Sequence, residues 1–73
     1  MDQKLRIEKD IVMFEDNLKH VINKHFDENQ IKIIELGKQY YDDSKYYLEK
    51  KDYFTAFGCI NYAHGLLDSL IKY

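Results

Sequence analysis

Ile7, Ile11, Phe14, Leu18, Val21 and His25 recur at intervals of four, three, four, three and four residues. At 100° per residue that spacing keeps all six on one stripe of a helix. The chain contains no proline to interrupt it, and no two-residue alternation persists anywhere in the sequence. The spacing predicts a first helix from about Gln3 to His25, in a chain that is helical throughout.

Capping chemistry sets the next boundaries. Asp27 and Gln30 have the separation of a capping box, and Phe26 and Ile31 hold the two positions of a hydrophobic staple. A second helix is expected over about 28–50, where Lys50 and Lys51 suit the negative end of the helix dipole. Asp52 is the natural N-cap of a third helix, over about 53–72. Helices of this length are each about 30–35 Å long, and links of a few residues force them to fold back on one another. The predicted fold is all-α: a single domain over 1–73, built as a three-helix antiparallel up-down-up bundle.

On the second helix the inward arc collects Ile33, Leu36, Gly37, Tyr40, Tyr41, Ser44, Tyr47 and Leu48. Gly37 and Ser44 stand one heptad apart at its centre, so a neighbouring backbone can come close while rings pack around it. Tyr46 points outward. Glu8, Lys9, Glu15, Asp16 and Lys19 lie off the first helix's apolar stripe, as a solvated face requires.

Size and charge narrow the function classes. A chain of 73 residues removes only about 60% of its extended surface from water on folding. Domains this small usually recruit disulfides, metals or partner subunits. The single cysteine, Cys59, cannot close an intrachain disulfide, and no zinc-type spacing of Cys and His is present, so no metal or other cofactor is expected. A partner subunit is the remaining option. The formal net charge is −2, and the eleven cations are scattered from Lys4 to Lys72 with Arg6 the only arginine. That distribution argues against nucleic acid as a partner. The charged start, MDQKLRIEKD, does not resemble a signal peptide, and the uncharged run is too short for a bilayer. A cytoplasmic protein with no membrane partner and a reduced Cys59 is expected.

The run YYDDSKYYLEKKDYFTAFGCINYAHGLLDSL resembles the core of the archaeal family called domain of unknown function 357. Its Tyr-Ala-His-Gly-x-Leu-Asp signature corresponds to Tyr62, Ala63, His64, Gly65, Leu67 and Asp68. The likeness covers about Tyr40 to Leu70 and implies a short helical archaeal cytosolic protein with no assigned activity. Tyr40, Ser44, Tyr47, Asp52, Tyr53, Ala56 and Ala63 are also similar to one tetratricopeptide-type hairpin, with Asp43 departing from its apolar pattern. A single such hairpin builds no peptide groove.

Two function classes follow. The polar constellation with most chemical content is His64 with Asp68 one turn on, within reach of which Asp43 of the second helix and Asn61 are expected. A carboxylate beside an imidazole can orient a general base, and two carboxylates with a histidine can hold a divalent metal. A metal- or small-ligand-binding protein, a hydrolase among the options, is therefore the alternative reading. A half-buried, hydrogen-bonded histidine at the bundle edge explains the same residues, and no nucleophile or oxyanion donor accompanies them. His20 sits on a solvated flank, Arg6 is remote from the signature, and Cys59 reads as buried filler.

The other class, which we favour, comes from the third helix. Residues 53–67, YFTAFGCINYAHGLL, hold no charge in a chain that is 33% charged. Ala56, Ile60, Ala63, Leu67 and Ile71, with Phe57 beside them, suffice for an inward face. The opposite side carries Gly58, Tyr62, Gly65 and Ser69, with Phe54 at its edge and Leu66 on the far flank. Each glycine costs about 0.8–1 kcal/mol against alanine inside a helix. The expected function is a non-catalytic interaction or assembly module that forms a homodimer or binds another helical protein through these residues, with no small-molecule ligand.

Overall fold

The computed structural model of the chain describes residues 2–21 and 24–71. They form three helices, α1 (Gln3–Val21), α2 (Glu28–Glu49) and α3 (Tyr53–Ile71), with no strand among the described residues. The bundle is antiparallel and measures 37 × 18 × 16 Å, its long dimension set by α2. The core is the expected one. Ile7, Ile11, Phe14 and Val21 of α1 are buried against Ala56, Ile60, Ala63 and Leu67 of α3, with Leu18 and Ile71 packed at its margin.

The first helix is shorter than its stripe suggested. Its described part ends at Val21, whose carbonyl accepts from the Lys24 amide at 3.0 Å, and His25 lies outside it, exposed. Val21 already fills the last core position of α1, and the chain must reverse before Asp27. Asp27 is extended (φ −73°, ψ 175°) and makes both bonds of the capping box. The Gln30 amide donates to its carboxylate at 2.8 Å, and its own amide donates to the Gln30 side chain at 2.9 Å. Phe26 and Ile31 line one shallow depression with Leu18, Val21 and Ile34.

Lys50 caps the end of α2, and Lys51 takes a left-handed conformation at φ 65°. The Lys51 amide donates to Leu48 at 3.0 Å and the Asp52 amide to Tyr47 at 2.9 Å. These are the two bonds of a Schellman motif, completed here without the usual glycine. Asp52 then caps α3, accepting from the Thr55 amide at 3.2 Å. The expected end of α3 at Lys72 lies outside the described residues.

Small residues set the α2–α3 seam. The buried Ser44 hydroxyl donates to the Ala56 carbonyl at 2.7 Å. Two turns away, a Cβ placed on Gly37 would stand 3.8 Å from the Ala63 carbonyl. Moving seven residues along α2 therefore moves seven back along α3, a matched antiparallel register. The predicted arc of α2 needs one correction. Leu36 is 38% exposed and Ile33 only partly buried, whereas Ile34 packs on the core. Because α1 covers the Tyr41 side of α2, the buried arc is rotated towards that side.

Candidate functional site

The outer side of α3 is an exposed surface without charge. The exposed residues of that helix are Phe54, Gly58, Asn61, Tyr62, Gly65 and Ser69, and none is charged. On α1 and α2 the exposed sides carry Lys, Arg, Asp and Glu, interspersed with exposed Leu5, Val12 and Met13 of α1 and Ile31, Leu36 and Tyr46 of α2. Phe54 is 91% exposed, which leaves almost a whole phenyl ring in water. It borders a depression formed with Gln3, Arg6, Ile7 and Phe57, where the Arg6 guanidinium lies 5.4 Å from the Phe57 ring centre. Tyr62 leans over α2, its ring centre 4.6 Å from that of Tyr40. A Cβ added at Gly58 or Gly65 would meet nothing within 4 Å. Neither glycine has positive φ, so the backbone of this chain gives no reason for either.

Of the expected contact residues, Phe54, Gly58, Tyr62, Gly65 and Ser69 share this side. Leu66 does not. It is partly buried and turned towards α2, its Cβ 3.9 Å from the Cβ position of Gly37. Asn61, assigned from the sequence to the histidine's flank, instead joins the exposed set. Its place beside Tyr62 was the available signal.

The histidine belongs to a junction of all three helices. Phe14, fully buried, stacks on Tyr41 of α2 with ring centres 5.1 Å apart and meets the edge of His64 of α3 at 5.8 Å. His64 Nε2 lies 2.7 Å from the carbonyl oxygen of Asp10. A carbonyl can only accept, so Nε2 carries the proton and is committed to holding α3 against α1. Tyr41 donates its hydroxyl to Glu15, and the Lys45 ammonium lies 4.4 Å from the Tyr41 ring centre. Burial, followed by the bond to Glu15, raises the Tyr41 phenol above its usual range. Glu15 was expected on a solvated face and is in fact partly buried and engaged. Nothing in the spacing of α1 indicated that Tyr41 would reach it.

The trio Asp43, His64 and Asp68 does not assemble as a ligand set. Among the described residues no three His, Cys, Asp or Glu side chains are placed to hold a metal ion. The seam register explains the separation. With Ser44 opposite Ala56, Asp43 stands opposite Phe57, two turns or about 10 Å along the axis from His64. Asp43 is exposed, and Asp68 is partly buried one turn beyond the histidine. Cys59 is partly buried, its thiol pushed up by burial and then by the carboxylates of Asp43 and Asp52, which disfavours a reactive thiolate.

The family model described as "Protein of unknown function (DUF357)" matches residues 9–73, and the chain belongs to that family. The match takes in most of α1 as well as the two helices that carry the sequence resemblance. No curated protein matches the chain. No described helix is long and apolar enough to cross a membrane.

Proposed function

We propose that this family member is a non-catalytic protein–protein interaction or assembly module whose contact surface is the outer side of α3. Its partner is a helix, supplied by a second copy or by another helical protein. The observation that carries the reading is the exposed set on α3: six residues without a charge, led by a phenylalanine that is 91% exposed. Burying one such ring contributes about 1.5–3 kcal/mol, and contiguous uncharged surface on a soluble protein is a usual mark of a contact site. The glycines supply the shape. They leave the α3 backbone open to close approach at two points, and their helix-propensity cost is unrepaid inside one bundle. The proposal includes an archaeal cytoplasmic setting, supported by the family resemblance and by a lone cysteine with no intrachain partner.

The test is comparative capture from a lysate of the source organism. Immobilised wild-type chain should retain a protein, this chain or another, that is lost with Gly65→Leu and with Phe54→Asp but kept with Glu8→Gln, a change on the far side of α1. Both α3 changes fall on exposed positions, and circular dichroism should show the bundle intact. Retention unaffected by either α3 variant would contradict the proposal.

A further inference from the structure

The eleven cations are scattered along the sequence, but the fold gathers three of them around one cleft. Lys4 of α1, Lys45 of α2 and Lys51 of the α2–α3 turn line a depression of about 320 Å³ together with Leu48, Glu49 and Tyr53. We propose that this cleft binds a small phosphate monoester with an apolar body, a function separate from the contact surface on α3. It departs from the expectation that the chain takes no small-molecule ligand.

Charge sets the ligand class. The lining holds three ammoniums against one carboxylate, Glu49, a formal excess of two positive charges (three minus one). A phosphate monoester carries about −1.5 to −2 at pH 7 and matches that excess, where a carboxylate would neutralise only part of it. Lysine ammoniums bind phosphate as point charges. Among the described residues the Lys4 and Lys51 ammoniums make no ion pair, and Lys45 reaches only the exposed Asp42, at 3.9 Å. Leu48 and Tyr53, partly buried against the core, give the cleft an apolar wall for the body of the ligand. The backbone points the same way. Lys51 holds φ 65°, a conformation suited to glycine, so a lysine side chain is kept there at a cost to the fold. Among the described residues its ammonium makes no hydrogen bond, ion pair or ring contact that would offset that cost.

Titration of the isotope-labelled chain with phenyl phosphate, followed by NMR, tests the site. The amides of Lys4, Leu48, Lys51 and Tyr53 should shift and saturate. Benzoate, with the same ring and a single charge, should bind about tenfold more weakly, and inorganic phosphate, which lacks the ring, should also bind more weakly. Lys51→Gly should weaken phenyl phosphate about tenfold while raising the urea midpoint, so that lost binding is not lost fold. Lys50→Gln should bind as wild type, because the Lys50 ammonium lies 5.6 Å from the centre of the exposed Tyr46 ring and does not line the cleft. Amides that do not shift at millimolar phenyl phosphate, or equal losses with Lys50→Gln and Lys51→Gly, would overturn the site. Benzoate binding as tightly as phenyl phosphate would overturn phosphate as the group bound. A short phosphotyrosine peptide carries the same group on a protein segment, and tighter binding of that peptide would overturn the free small molecule as the ligand.

Discussion

Ser44 and Ala56 face each other across the α2–α3 seam, hydroxyl to carbonyl at 2.7 Å, and both are fully buried. The bond matters less than the room it occupies. Ser44→Ala removes one neutral hydrogen bond, worth about 0.5–1.5 kcal/mol, and recovers part of that through better helix propensity. Its net cost should be about 1 kcal/mol or less. Ser44→Leu forces extra methylenes into a closed seam and should cost about 1–3 kcal/mol. Urea unfolding of the two variants checks the order, and equal losses would contradict it.

Gly37 gives the opposite sign. A Cβ there would lie 3.7 Å from Phe14 Cζ, 3.8 Å from the Ala63 carbonyl and 3.9 Å from Leu66 Cβ, all ordinary contact distances. Gly37→Ala should therefore fit, and should raise stability by up to about 1 kcal/mol through helix propensity. A loss above that size in thermal unfolding would show that the seam is tighter than its geometry.

Lys51 holds a left-handed conformation at φ 65°, which costs a non-glycine residue about 1–2 kcal/mol. Its amide and that of Asp52 already close the Schellman bonds, so the turn needs no other change. Lys51→Gly should raise the unfolding free energy by about 1 kcal/mol, because the greater freedom of glycine in the unfolded chain offsets part of the relief. A destabilised Lys51→Gly would mean that the lysine side chain supports the turn.

Alkaline pH should weaken the fold. Burial raises the Cys59 thiol above its ordinary 9.0, burial and Glu15 raise the Tyr41 phenol above 10.0, and the bond to Tyr41 raises Lys45 above 10.5. In each case the folded chain holds the proton more tightly than the unfolded chain. That stabilisation is complete below the unfolded value and is lost as pH rises through the folded one. The urea midpoint should stay level to about pH 9 and then fall. Tyr41→Phe keeps the ring on Phe14 but removes the phenol, so its decline above pH 10 should be shallower than that of wild type. A midpoint that rises above pH 9 would contradict the assignment.

Local chemistry made much of this fold legible in the sequence. The Asp27–Gln30 box, the Asp52 cap, the stripe from Ile7 to Val21 and the small pair Gly37 and Ser44 all act within one or two turns. The misjudged residues depend on how the helices are rotated against one another. Leu36 and Leu66 sit on flanks whose exposure is decided by where α1 lies, and Glu15 is engaged only because α1 presents it to Tyr41. The bond from His64 to the Asp10 carbonyl, 54 positions away, leaves no mark in the local spacing. Lys51 was illegible for a different reason: a left-handed turn without glycine leaves no compositional mark.

A second copy packed on the uncharged side of α3 is one of the two partners proposed above. Light scattering across a concentration series of the wild-type chain and of Gly65→Leu tests it most directly, since the substitution fills the groove without touching the core. Wild type should approach the mass of two chains at high concentration and the variant should keep that of one, with equal helicity. A single-chain mass for both proteins throughout the series would contradict self-association through this surface.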